Sequence, residues 1–195
     1  MATRHLFTLL TILLVAPACT SKSAAPPADA RTQAIYNKQT GRLEELLSDR
    51  DGDGKKETRA FMDGVRFVRI EIDKNGDGKP DRWEYYAPVP AGVTVPSSPD
   101  GRVMLERMEE AGNFDGRITR REFYELGVLA RAEEDTDDKP GVDKWEYYTA
   151  GVMSRLDLDL QGKGFPDRRL VYDANGAIVR TEADPDGDGK FVTVK

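Results

Sequence analysis

Histidine and cysteine are almost missing from this chain. Each occurs once, as His5 and Cys19, and neither recurs before Lys195. Their absence removes the usual means of activating a serine or threonine nucleophile, which is a neighbouring imidazole. It also forbids a disulfide within one molecule. No glycine-rich phosphate-binding loop is present. Lysine and arginine form no cluster and the net charge is −6, so a nucleic-acid backbone finds no matching surface. After Val15 no apolar run is long enough to cross a bilayer. Carboxylates are plentiful, but the loops described below account for them. The chain reads as a non-enzymatic binding or structural protein.

The N-terminus carries the one sustained apolar stretch. Arg4 and His5 precede an apolar run at 6–15, and "APAC" at 16–19 ends it. The run is too short to span a membrane and suits a secretory signal over 1–18. With Cys19 at the cleavage point, the segment resembles the signal of bacterial envelope lipoproteins, in which that cysteine becomes the lipidated first residue. Ala16 departs from the leucine that family prefers, and "APA" also satisfies ordinary secretory cleavage, which leaves a periplasmic or secreted product as the alternative. Thr20 after the cysteine implies sorting to the outer membrane by the family's rule. Loss of Arg4 with the signal takes the net charge from −6 to −7. Residues 19–33 read as a lipidated Ala/Pro/Ser tether with nothing to bury, and the fold is expected from 34 to 195.

Within 34–195 one pattern recurs. "DRDGDGKKETRAFM" begins at Asp49 and "DKNGDGKPDRWEYY" at Asp73, twenty-four residues on. Ala111, Asp135 and Asp159 begin further units at the same spacing, and Asp184 begins one that is a residue late. The step from Asp73 to Ala111 is longer because of a Pro-rich insertion at 88–100. Met62, Tyr86, Tyr124, Tyr148 and Tyr172 share one repeat position, and Phe61, Tyr85, Phe123, Tyr147 and Val171 the position before it. Glycine turns follow at Gly64, Gly127, Gly151 and Gly176, then a column of Arg69, Arg107, Arg131, Arg155 and Arg180.

The space between successive loops admits two five-residue strands and a turn, but not two helices. The predicted fold is therefore mainly β: tandem antiparallel hairpins of about 24 residues joined by acidic loops. The segment 97–127 also fits a local helix–loop–helix, with Thr119 and Glu122 as a capping box. Trp83 and Trp145 share one strand face with Tyr85 and Tyr147, and the tyrosines 86, 124, 148 and 172 share the other with Glu84, Glu122 and Glu146. Aromatic ladders on both faces predict a sheet curled or folded on itself. The arginine column, two residues ahead of Glu71, Glu109, Glu133, Asp157 and Glu182, predicts a solvated charge ladder.

The loops carry the chemistry. Asp73, Asn75, Asp77, Asp81 and Glu84 place oxygens at positions 1, 3, 5, 9 and 12 of a twelve-residue frame, with Gly78 at position 6. This resembles the loop of the EF-hand calcium-binding family, and its "DxDxDG" core is similar to the loops of dockerins and thrombospondin type 3 repeats. The resemblance implies Ca2+ as cofactor, with the backbone carbonyl of Lys79 and a bidentate Glu84 completing the shell. Pro80 departs from the EF-hand pattern, and "WEYYAP" lacks the apolar spacing of a dockerin helix. Asp49, Asp51, Asp53 and Glu57 match the frame up to Ala60, and Asp184, Asp186 and Asp188 match its core. Ala111 in one loop, Lys139 and Pro140 in a second, and Gln161 and Lys163 in a third break the pattern. Those three read as structural turns, with Lys139 and Lys163 supplying the positive charge. Asp-Gly and Asn-Gly also favour turns without metal, so an acidic turn is the competing reading throughout. The expected function is structural or adhesive at a bacterial envelope, with the lipid anchor as the membrane contact and an envelope protein or polysaccharide as partner. The alternative is a carbohydrate or protein receptor using the aromatic columns.

Overall fold

The computed structural model describes residues 31–95 and 102–194. The predicted signal, Cys19 and all of the tether before residue 31 lie outside these residues. Thirteen strands follow one another: β1 Thr32–Tyr36, β2 Leu43–Ser48, β3 Thr58–Asp63, β4 Arg66–Ile72, β5 Arg82–Pro88, β6 Val103–Glu110, β7 Arg120–Glu125, β8 Val128–Glu134, β9 Lys144–Thr149, β10 Val152–Leu158, β11 Arg168–Tyr172, β12 Ile178–Ala183 and β13 Val192–Thr193. They form one antiparallel sheet in sequential order, and no helix occurs among the described residues.

The tandem-hairpin expectation holds. The helix–loop–helix alternative at 97–127 does not, because β6 and β7 occupy its described part and pair Met108 with Glu122. Its capping box is dismantled by the loop itself. Thr119 Oγ1 accepts the Gly112 amide at 3.0 Å, and the Glu122 carboxylate is engaged by Arg120 and Tyr124. The fold also starts earlier than residue 34. Strand β1 begins at Thr32 and forms a further hairpin with β2 that has no acidic loop of its own kind before it.

Two-residue turns close several hairpins. Gly64 (φ 69) opens the Gly64–Val65 turn between β3 and β4, while Leu126–Gly127 (φ 49 and 75) and Ala150–Gly151 (φ 51 and 79) are left-handed at both residues. Such mirror-image turns match the twist of the flanking strands, even though leucine and alanine resist positive φ. In the five hairpins from β3–β4 to β11–β12 the register slips by one residue at the same place, leaving Val68, Glu106, Ala130, Ser154 and Val179 without a cross-strand partner. Each is a β-bulge immediately before the arginine column.

The substantial contacts between elements all join sequence neighbours. With so few buried apolar side chains as well, no second layer covers the sheet among the described residues, so of the expected curled or folded sheet the folded form does not hold. Among the described residues only Ala60, Val95, Val103, Met108, Ala111 and Ala132 are buried apolar side chains, whereas nine buried side chains are acids. Neighbouring long side chains do the covering that a second layer would otherwise do. The guanidiniums of Arg69, Arg107, Arg131 and Arg155 lie 4.3, 4.2, 4.1 and 3.6 Å from the ring centres of Phe61, Tyr85, Phe123 and Tyr147. Ring faces attract cations, and the arginine stems bury ring area as they cross. The same arginines pair with Glu71, Glu109, Glu133 and Asp157, so the predicted charge ladder is present but is stacked on the aromatics.

Candidate metal-binding edge

Sequential antiparallel order places the hairpin turns on one edge of the sheet and the six acidic loops on the other. The loops are stitched together through their backbones. The amides of Asp73, Ala111, Asp135, Asp159 and Asp184 donate to the carbonyls of Glu57, Asp81, Thr119, Asp143 and Asp167 in the preceding loop, at 2.7–3.0 Å. This pairing draws the first and ninth loop positions inward. Asp49, Glu57, Asp73, Asp81, Asp159, Asp167 and Asp184 are all buried.

A buried carboxylate must be solvated by protein groups. Asp49 accepts the amides of Gly52 (2.5 Å) and Gly54 (3.0 Å), and Asp73 those of Gly76 and Gly78, both at 2.7 Å. Asp184 repeats this with Gly187 and Gly189. Asp159 accepts from Lys163 and Gly164. Burial pushes its carboxyl up, but those amides outweigh burial and hold it below the usual range. Ninth-position acids close the loops from the other side. Glu57 and Asp81 accept the amides of Arg50 and Lys74 at 2.7 and 2.9 Å. Asp51, Asn75, Asp53, Asp77 and Asp188 each accept an amide two residues on, forming Asx turns. The amide of Lys79 is the donor to Asp77. Glycine is needed at positions 4 and 6, where φ is positive at Gly52, Gly54, Gly76, Gly78, Gly187 and Gly189.

Three groups of carboxylates among the described residues bring one oxygen each within 4.8 Å of one another: Asp49, Asp51, Asp53 and Glu57; Asp184, Asp186 and Asp188; and Asp135, Asp137 and Asp143. The first two fall on loops nominated from the sequence. The third falls on a loop whose sequence reads as a plain turn. Loop 73–84, the most complete in sequence, contributes no such group, and Asn75 stands where its siblings have an aspartate. Its Asp73, Asp77 and Asp81 are engaged with backbone amides just as Asp49, Asp53 and Glu57 are.

Glu84, the expected bidentate ligand, lies within β5, two residues from Arg82 and Tyr86 on the same face. Arg82 Nε donates to its Oε1 at 2.8 Å and the Tyr86 hydroxyl to its Oε2 at 2.8 Å. The same triad recurs as Arg120–Glu122–Tyr124 and Lys144–Glu146–Tyr148. Burial and the adjoining carboxylates push the hydroxyls of Tyr86 and Tyr124 well above the usual tyrosine range. Arg120 also reaches Glu134 (3.0 Å) and Glu146 (2.8 Å), linking three strands. Burial alone would raise the Glu146 carboxyl, but bonds from Arg120, Lys144 and Tyr148 outweigh it and hold the group at about 2.

The lysines that replace loop carboxylates behave differently from each other. Lys139 pairs with Asp137, as its predicted role requires. Lys163 turns away to the Pro185 carbonyl at 3.1 Å and toward the Phe165 ring. Comparison with known proteins finds no family model that matches the chain and no curated protein similar to it.

Proposed function

We propose that the acidic edge of this sheet binds calcium, and that the chain is a non-enzymatic structural or adhesive protein held at a bacterial envelope through lipidated Cys19. What supports the calcium reading is the spatial gathering of Asp49, Asp51, Asp53 and Glu57, and of Asp184, Asp186 and Asp188, on loops whose sequence follows the DxDxDG frame. Hard, ionised oxygens at flexible spacing suit Ca2+ and repel one another without a cation. The loop 73–84 adds Asp73, Asn75, Asp77 and Asp81, with the Lys79 carbonyl, on the same edge. Glu84 is assigned to the face network rather than to that shell.

Calcium acts on stability in this reading. At about 1 mM free calcium, a site with a dissociation constant of about 0.1 mM adds RT ln 11, about 1.4 kcal/mol. Thermal melts of the mature chain in calcium and in chelator test this, with Trp83 fluorescence reporting loop 73–84 directly. Asp77→Ala is expected to remove that loop's share and the Trp83 response. Identical melting in calcium and chelator, with unchanged Trp83 emission, refutes the reading.

A second reading rests on a different observation. The face carrying Trp83, Tyr85, Trp145 and Tyr147 has no second layer over it, and its aromatics are only half-buried. Aromatic rings beside charged groups suit a polysaccharide or a partner protein as ligand.

A further inference from the structure

The third carboxylate group lies on one of the three loops whose sequence breaks the frame. Asp135, Asp137 and Asp143 hold positions 1, 3 and 9, but Lys139 and Pro140 displace the aspartate and glycine expected at 5 and 6. We propose that this loop, 135–143, is itself a site for a hard divalent cation of the calcium class, bound by Asp135, Asp137 and Asp143. The proposal rests on the reading that this edge takes calcium, and adds a site with a different construction.

Two independent observations carry it. The three residues each bring a carboxylate oxygen within 4.8 Å of the others. Separately, Asp135 has a side chain only 7% exposed, and its Oδ1 is buried without accepting any hydrogen bond. A carboxylate oxygen taken from water and given no donor is unfavourable, and a cation is the partner it lacks.

In the sister loops, the first-position aspartate receives on Oδ2 an amide from position 6, from Gly54, Gly78, Gly164 and Gly189. Its Oδ1 receives one from position 4 in three of them, from Gly52, Gly76 and Gly187. Here Pro140 has no amide hydrogen for Oδ2, which Arg117 takes instead, and Oδ1 is left without a donor. The loop nevertheless keeps the sister path at position 4, where Asp138 adopts φ 63 despite its side chain.

Charge points the same way. Arg117, from the preceding loop, pairs with the other oxygen of Asp135 and with Asp138 (2.8 Å), and Lys139 pairs with Asp137. Two cations face the four carboxylates of Asp135, Asp137, Asp138 and Asp143, leaving two negative charges for a divalent ion to balance. The Lys139 side chain is 76% exposed, so its ion pair is a weak, displaceable one. Lys139 is thus a competitor for the cation, while Arg117 is a fixed counter-charge.

The test is a calcium titration of the 15N-labelled mature chain, starting from chelator-treated protein. The expected result is saturable movement of the amide resonances of 135–143, with a midpoint in the range of about 0.1–1 mM typical of extracellular calcium modules. Asp137→Asn, at a half-exposed position, weakens that transition by roughly tenfold, and Lys139→Ala tightens it severalfold, by removing a carboxylate or a competitor. If loops 49–57 and 184–189 titrate while 135–143 stays still up to about 10 mM, this proposal fails and the general reading stands. If only 135–143 responds, this site stands and the assignment of calcium to loops 49–57 and 184–189 fails. If no loop responds, both fail. A weakening by Lys139→Ala overturns its role as competitor.

Discussion

Glu146→Gln separates the contribution of charge from that of shape in the network joining β7, β8 and β9. The native carboxylate accepts from Arg120 (2.8 Å) and Tyr148 (2.9 Å) and pairs with Lys144 (2.7 Å), inside a site where its side chain is 7% exposed. The group is held at about 2, against an ordinary value of 4.5. A difference of roughly 2.5 pH units corresponds to about 3 kcal/mol favouring the folded state. Because the folded value is depressed, this stabilisation is present in full above about pH 4.5 and is lost as pH falls toward 2. The glutamine keeps the size and one acceptor oxygen but removes the charge, so the expected loss at pH 7 is about 2–3 kcal/mol. In a chain of this length that lowers the melting temperature by roughly 5–10 °C. Urea unfolding of both proteins at pH 7, 4 and 2.5 measures the difference, and the other acids cancel because both chains carry them. The gap between the two curves should narrow steadily below pH 4.5. A gap that is the same at pH 7 and 2.5, or that is under about 0.5 kcal/mol at pH 7, refutes the account. Glu125→Gln, at an exposed position on β7, serves as the control and should change little.

Other substitutions probe other parts of the molecule. Asp157 is 3% exposed in its side chain and binds Arg169 through two bonds of 2.8 and 3.0 Å, with Arg155 at 3.4 Å. Asp157→Asn should therefore cost about 2–3 kcal/mol in denaturant unfolding, and a change below about 1 kcal/mol would show that the arginines find other partners. Ala150→Gly relieves a positive φ of 51 in the β9–β10 turn and should stabilise by about 0.5–1 kcal/mol, whereas a destabilised variant would mean that chain entropy outweighs the strain. Cys19→Ser should move the protein from the membrane fraction to the soluble one. Unchanged fractionation, with no lipid mass on the N-terminal peptide, would return the signal to the ordinary secretory class.

The hairpin repeat was legible because two periods coincide in this sequence: alternation along each strand and the twenty-four-residue return of the loops. Where one period is missing, the pattern is silent. The β1–β2 hairpin has no acidic loop ahead of it, so its start at Thr32 was overlooked. The arginine column was legible as charge but not as a stack on Phe61, Tyr85, Phe123 and Tyr147. That contact depends on a bulge that shifts the register by one residue, which residue identity does not announce. The neighbours of Glu84 were illegible for a related reason. Loop spacing suggests a twelfth ligand, but once β5 forms, Arg82 and Tyr86 are two residues away on the same face and take the carboxylate. Asp143 at the ninth position is plain in the sequence, but Lys139 and Pro140 break the frame between it and Asp135.

Strands that pair only with their sequence neighbours make this molecule a ruler. Adjacent strands lie about 4.8 Å apart, so thirteen of them in order span roughly 58 Å, and each hairpin contributes about 10 Å. The reach of the protein is then set by counting units. Deleting one twenty-four-residue unit should shorten it by that single increment while the rest keep their neighbours, and pulling across the sheet should unzip it strand by strand. Length is the property such an architecture can change in small steps without redesigning a core.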